Sequence, residues 1–382
     1  MGATSLRAQD VAQTRPSATL AFDLRAGVAP PDDGYFNYGD YDHSTLRLFR
    51  LSLSTELRPA PWMAVLLEGT SENMDAHVRA AYLRVTPLAG RALDLQVGRI
   101  PPVFGSYARN AYGDDGPLVG WPLVYQYLTT VRADAVPSSA DDLLAVRGRG
   151  WYVPYPSGAY PPGAGLPLAS ASRWDTGASL RLGRDRVQTA IALTRGSLSD
   201  PRVSDNNPGK QVAARVAFGP RPAFTLGLSG ARGSYLDRKV TDSLPAGLPR
   251  AYHQSVLGLD LEVAHGHLFV RAEALASWWS TPALGFPAIP EPLRTSGFYL
   301  EARYKVAPGW TAGVRVDRLA FDDLAGSRKT ETWDADVTRI EAGLSWTPRR
   351  HLTLRGVYQY NWRDTGRFAR EGFVAGQLGL WF

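Results

Sequence analysis

From Ser17 to the end of the chain, apolar and polar residues alternate in short segments. Leu20, Phe22, Leu24, Ala26 and Val28 form one row, with Asp23 and Arg25 on the other; Phe49, Leu51 and Leu53 oppose Arg50, Ser52, Ser54 and Glu56. A period of two places such sets on opposite faces of a strand, which no amphipathic helix would do. The pattern predicts further strands near 62–71, 77–86, 92–98, 174–183, 186–196, 210–218, 223–234, 253–263, 267–278, 296–306, 310–319, 336–346 and 351–362, and a closing strand from Glu371 to Phe382. The total is about sixteen strands of roughly nine to twelve residues, the length that crosses a bilayer at a tilt.

The connections alternate too. Tight turns such as Arg58-Pro59-Ala60-Pro61, Gly219-Pro220-Arg221-Pro222 and Ala307-Pro308-Gly309 take turns with longer polar loops such as 197–208, 236–251 and 322–333. One rim of short turns and one of long loops suits an all-β, transmembrane antiparallel β-barrel; a sandwich or propeller has no reason to segregate its loops. The barrel is expected over 17–382. The polar residues 1–16 read as a disordered N-terminal segment, either the remnant of a signal sequence trimmed near Ala8-Gln9 or the product of a start downstream of the true one.

Aromatic residues gather at strand ends. Trp62, Phe218, Phe224, Trp310, Trp346, Trp381 and Phe382 lie beside tight turns, and Tyr235, Tyr252, Trp278, Trp279, Phe298, Phe321, Trp333, Tyr360 and Trp362 lie at loop ends. Two interfacial girdles are therefore expected.

Composition removes several classes of function. The 382 residues show no linker that would divide them, and the absence of cysteine excludes disulfide frameworks, thiolate metal sites and thiol nucleophiles. No apolar run is long enough for a transmembrane helix. The net charge of +6 is spread along the chain, which argues against a nucleic-acid partner. None of the six histidines has a convincing catalytic or metal-ligand partner pattern. His265-Gly266-His267, Asp32-Asp33 and Asp114-Asp115-Gly116 read as solvated turns, so no enzyme activity, metal or cofactor is expected.

With the apolar parity facing lipid, the opposite parity lines a lumen. It carries Arg25, Arg50, Arg84, Arg215, Arg271, Glu273, Glu301, Arg303, Arg315, Asp317, Arg339, Glu341 and Arg355, the expected pore-lining set. So many ionised groups predict a wet interior, with opposite charges neutralised across strands. The segment 99–173 interrupts the strand pattern and is too long for an idle surface loop. Its Trp121, Tyr125, Tyr127, Trp151, Tyr152, Tyr155 and Tyr160 would be buried if it folded into the barrel as a constriction. Short helices are expected over 117–130 and 139–146, the latter capped by Ser138 or Ser139. The constriction candidates are Arg109, Asp114, Asp115, Arg132, Arg147 and Arg149. The run Arg147 to Trp151 is the favoured eyelet element, and a flexible basic turn is the competing reading.

The last residues, Val374, Gly376, Leu378, Leu380 and Phe382 in one row, resemble the C-terminal assembly signal of bacterial outer-membrane barrels, with Phe382 and Leu380 as its key positions. The chain as a whole resembles a sixteen-stranded bacterial porin with loop 3 folded inward. Gly98-Arg99 with Pro102-Val103-Phe104-Gly105, and Asn206-Asn207-Pro208-Gly209-Lys210-Gln211 leading to Arg215, are similar to the phosphate-selective and related porin families, and Trp174-Asp175-Thr176-Gly177 is a weaker echo. The lysine-rich anion ladder of phosphate-specific members is missing, so phosphate specificity is not implied. The resemblance implies residence in the cell outer membrane among its lipid, the barrel-assembly machinery as a partner, and a homotrimer. It also implies passive diffusion of small hydrophilic solutes and ions, with weak charge selectivity expected. The alternative is a substrate-specific channel for anions or sugars, or an export channel.

Overall fold

A computed structural model describes residues 16–88, 93–109, 111, 116–149, 152–184, 186–221, 223–289, 292–366 and 368–382. The N-terminal segment up to residue 15, together with Asp114, Asp115 and Trp151, lies outside the described residues. The first barrel strands are β1 (Ser17–Val28), β2 (Phe49–Ala60), β3 (Met63–Glu72), β4 (Asp75–Val85) and β5 (Leu93–Ile100). After a long insertion come β8 (Asp175–Arg184), β9 (Val187–Thr194), β10 (Gln211–Arg221), β11 (Phe224–Ser234), β12 (His253–His265) and β13 (Leu268–Trp279). The barrel ends with β14 (Leu293–Ala307), β15 (Trp310–Phe321), β18 (Val337–Arg349), β19 (Leu352–Arg363) and β20 (Arg370–Trp381). These sixteen strands pair in chain order into one closed antiparallel barrel. Two short ribbons, β6 (Ala135–Val136) with β7 (Ser157–Gly158) and β16 (Asp323–Ala325) with β17 (Thr330–Thr332), sit in the long loops.

The alternation produces this wall directly. Leu20, Leu228, Leu257, Leu300 and Val374 are exposed on the outside, while Arg25, Asp260, Glu301 and Arg315 of the other parity are buried within. Barrel closure leaves no free sheet edge, so every strand finds a partner on both sides. The seam joins β1 to β20: Leu24 faces Leu380, and Phe22 and Phe382 exchange backbone hydrogen bonds of 3.0 and 2.9 Å. Gly309 supplies the positive φ of +77° for the β14–β15 turn, where its own lack of a side chain avoids strain.

The insertion between β5 and β8 contains two helices, α1 (Leu123–Gln126) and α2 (Ala140–Ala145). The expected helix over 117–130 shrinks to α1 because Pro122 disfavours a helical Trp121 before it, and Tyr127 is already extended after it. In α2 the expected Ser139 cap is present, its hydroxyl accepting the Asp142 N–H at 3.2 Å. A third helix, α3 (Arg238–Ser243), lies in a long loop.

The girdle expectation holds at the short-turn rim, where Trp62, Phe218, Trp310, Trp346 and Phe382 are exposed and Trp310 stacks on Trp346 at 5.4 Å. At the long-loop rim it needs correction. Phe298 and Tyr360 face outward, but Tyr235, Tyr252, Trp279, Phe321 and Trp333 are buried in one interior cluster with Tyr125 and Tyr127 of the insertion. Half of the supposed girdle is the apolar bed on which the insertion rests.

Candidate functional site

The wall from β12 to β19 carries charge in rows set by strand register. One row runs Glu262, Arg271, Glu301, Arg315, Glu341 and Gln359, alternating in sign along its charged members. The next row toward the long loops runs Asp260, Glu273, Tyr299, Asp317, Arg339 and Asn361. Arg315 is held by Glu341 at 2.7 Å, Asp317 at 3.1 Å and Glu301 at 3.5 Å. Opposite charges one strand apart neutralise each other across the sheet. Cross-strand neutralisation, expected from the sequence, is what the register delivers.

The insertion lies against this wall, and carboxylates of the barrel and of a neighbouring long loop accept its backbone N–H groups. Glu273 accepts from Tyr107 N at 2.9 Å and from Ser106 Oγ at 2.9 Å, and Tyr125 donates its hydroxyl to the same carboxylate. Glu341 accepts from Val119 N at 3.0 Å and Gly120 N at 2.9 Å; Asp317 accepts from Leu123 N at 3.0 Å. Asp334, in the loop before β18, accepts from Thr130 N at 2.8 Å and Gly148 N at 3.0 Å. Burial pushes the Asp334 carboxyl up from its ordinary range, against the pull of these donors. Arg339 returns a hydrogen bond from Nη1 to the Trp121 carbonyl at 2.9 Å and another to the Phe36 carbonyl. Charge-assisted bonds of this kind are worth about 1.5–3 kcal/mol each.

These contacts revise the expected pore lining. Glu273, Asp317, Arg339, Glu341 and Arg315 are at most 2% exposed and lie beneath the insertion, paired with one another and with its backbone. These five side chains therefore meet hydrogen-bond partners within the protein where solvent contact was expected. Elsewhere on the wall, Arg84 pairs with Asp94 at 2.7 Å, Arg271 with Glu262 at 2.8 Å, and Arg215 with Asp260.

Two cavities remain on either side of the insertion. The upper one, about 580 Å³, opens among the long loops and is lined by Asp40, His43, Glu72, Asp75, Arg99, Arg173, Asp200, Arg202 and Asp237 with others. The lower one, about 40 Å³, is lined by Arg25, Arg50, Glu301, Arg303, Arg315 and Arg355 together with Val119, Gly120 and Trp121 of the insertion. Thr45, Leu48 and Trp121 belong to the lining of both. Asp23 holds Arg25 at 2.8 Å and Arg50 at 3.3 Å, Glu301 holds Arg303, and Gln377 holds Arg355 at 2.8 Å.

The constriction candidates of the insertion fall elsewhere. Arg132 forms a bidentate pair with Asp134 and bonds the Val153 carbonyl at 2.6 Å, which braces the insertion internally. Arg147 binds Thr332 and Asp364 at the long-loop rim, and Arg149 is exposed beside it. Arg109 reaches back to the Pro102 carbonyl at 3.5 Å. Of the run expected as an eyelet element, Arg147 lies at the long-loop rim and positions 150 and 151 lie outside the described residues, while Val119, Gly120 and Trp121 line the lower cavity. Gly120-Trp121-Pro122 carries no charge, and an aromatic between glycine and proline recurs at Gly285-Phe286-Pro287, so no local signal marked it.

In the upper cavity His43 is gripped by Asp40, with Nδ1 at 2.8 Å from Oδ1, and its Nε2 lies 3.2 Å from the Glu72 carbonyl and 3.5 Å from Asp75. The hydrogen bond to Asp40 raises the imidazole to about 9. Asp32, weighed as a calcium ligand, instead accepts Phe36 N at 3.0 Å and Asn37 N at 2.7 Å. Among the described residues, no group of three or more His, Asp and Glu is placed to hold a metal ion. The motif residues at the root of the insertion have local tasks: Gly98, at φ +129°, lets the chain pass the Ala81 carbonyl, and Arg99 Nε caps the Trp174 carbonyl at 3.0 Å.

The sequence matches no protein-family model and no curated sequence. Solved structures do match its fold. Salmonella typhi OmpF in complex with daunomycin aligns at TM-score 0.57 with 11% identity, over 96% of this chain and 97% of that one. The outer membrane channel DcaP of Acinetobacter baumannii aligns at 0.57 with 10% identity over 96% and 98%. The anion-selective porin from Comamonas acidovorans aligns at 0.53 with 11% identity over 96% and 99%. With its closed wall of sixteen strands and a long insertion after the fifth, this chain has the fold of the bacterial outer-membrane porins.

Proposed function

We propose that the chain is an outer-membrane channel for passive diffusion of small hydrophilic solutes, in which small anions pass more readily than cations. The observation that carries the reading is the lower cavity, whose lining holds five arginines, Arg25, Arg50, Arg303, Arg315 and Arg355, and one carboxylate, Glu301. Glu273, Asp317 and Glu341 are engaged beneath the insertion, where Arg315 is already paired with two of them, so Arg25, Arg50, Arg303 and Arg355 supply the positive balance of the cavity wall. A narrow cavity walled by protein focuses that field on ions within it. Asp23 and Glu301 temper it, which keeps the preference to a few-fold rather than a strict exclusion. The neighbour described as anion-selective shares the fold, and a barrel from Vibrio cholerae is described as a trimer form; anion preference and a homotrimer are carried to this chain as parts of the proposal. No catalytic step is proposed.

Planar-bilayer recording tests this. A stable, small conductance with a reversal potential displaced toward the anion supports it, where a tenfold permeability ratio corresponds to about 1.4 kcal/mol. A cation preference, or no conductance from folded protein, overturns it. Saturable block by one solute would instead favour a substrate-specific channel.

A further inference from the structure

Diffusion through the lower cavity gives no reason for the charges of the upper one. There, Arg99 and Arg173 stand where the insertion leaves β5 and rejoins β8, and Glu72 and Asp75 stand at the tip of the β3–β4 hairpin. Glu72 and Asp75 are partners in the hairpin register, so their carboxylates share one face. Arg99 Nε bonds the carbonyl of Trp174, the residue after Arg173, which brings the two guanidinium stems side by side.

The remaining charges of this cavity are matched within the protein. Arg202 holds Asp200 at 2.5 Å and Asp237 at 2.6 Å, and His43 is gripped by Asp40. His43 meets Glu72 through its backbone carbonyl, not its carboxylate. Among the described residues, neither the Glu72 carboxylate nor the two terminal nitrogens of Arg99 has a hydrogen-bond or ion-pair partner. Arg173, 59% exposed, comes no nearer to a carboxylate than 3.9 Å, at Asp40, and Asp75 is 77% exposed. His77 lines the same cavity, and its Nε2 is buried without a hydrogen-bond partner among the described residues.

Two groups of opposite sign are thus presented to one cavity of about 580 Å³. A simple anion drawn to the arginines is repelled by Glu72 and Asp75, and a simple cation meets the reverse. A solute that carries both charges satisfies both groups, with its carboxylate on the planar guanidinium forks.

We propose that the upper cavity binds small zwitterionic solutes of amino-acid or short-peptide type, the carboxylate on Arg99 and Arg173 and the ammonium on Glu72 and Asp75. The inference goes beyond diffusion: it concerns a class of solutes held among the long loops. It is read by binding, not by current, so either reading can fail while the other stands.

Saturation-transfer difference NMR on the full chain, folded in detergent, tests it with three probes of similar size. Glycylglycine carries both charges, N-acetylglycine only the carboxylate and glycylglycinamide only the ammonium. Glycylglycine is expected to bind at least about tenfold more tightly than either, the loss that follows when one charge-assisted hydrogen bond goes unmade. Arg173→Gln should remove most of its lead over glycylglycinamide, and Glu72→Gln/Asp75→Asn most of its lead over N-acetylglycine. Heat-modifiable gel mobility confirms that each variant is folded. Equal binding of the three probes, no binding of glycylglycine, unchanged leads in the variants, or an equal loss of all probes in a folded variant overturns the proposal.

Discussion

Glu341 Oε1 accepts the backbone N–H of Gly120 at 2.9 Å, and so ties the middle of the insertion to a barrel strand more than two hundred residues away. Gly120 is at this contact because a Cβ there would fall 2.6 Å from the other Glu341 oxygen and 2.7 Å from Gln359 Nε2. Glu341→Ala removes the acceptor of two N–H groups and a partner of buried Arg315, a loss of about 3–5 kcal/mol. The insertion should loosen, and single-channel records should show larger and noisier conductance than wild type. Glu341→Gln keeps one carbonyl acceptor and should fall between the two. Records identical to wild type in Glu341→Ala would show that this tie does not seat the insertion.

The lower cavity predicts a charge effect separate from that tie, at arginines that do not bond Gly120. Arg303→Gln/Arg355→Gln removes two of the five arginines that line it while leaving Arg25, Arg50 and Arg315 in place. The anion preference should drop toward unity, read as a reversal potential moving toward zero in a salt gradient. An unmoved reversal potential would place the selecting charges elsewhere.

His43 makes the loop between β1 and β2 pH-dependent. Its pKa is raised from 6.5 to about 9 by Asp40, so its stabilising contribution is complete below about 6.5 and is lost as pH rises through 9. Wild type should resist heat better than His43→Gln at pH 6, and the difference should vanish by pH 10. An NMR titration that placed the imidazole near 6.5 would refute the assignment.

Phe382 closes the seam. It exchanges backbone hydrogen bonds with Phe22, and its ring stacks on His351 at 5.4 Å while remaining 69% exposed. Deleting Phe382 should reduce assembled, heat-modifiable barrel in the outer membrane while leaving export across the inner membrane intact. Wild-type levels of assembled barrel would count against Phe382 and Leu380 as the assembly signal.

Strand number, order and facing were legible in the sequence, because a half-buried strand writes its two environments into alternate residues. Arg25, Glu301 and Arg315 were assigned inward and Leu20, Leu300 and Val374 outward from parity alone, and the barrel places them so. Segregated turn lengths likewise fixed the two rims. Parity could not say what fills the lumen. Whether Glu341 meets water or Gly120, and whether Trp279 and Trp333 face lipid or Tyr127, depends on where the insertion lies, and its seat is made of contacts between residues such as Val119 and Glu341, 222 positions apart. Local alternation carries no information about such pairings. The chain by itself determined a membrane barrel with a charged interior; only the tertiary structure decided that the insertion rests on Glu273, Asp317 and Glu341 and covers Arg315 and Arg339 with them.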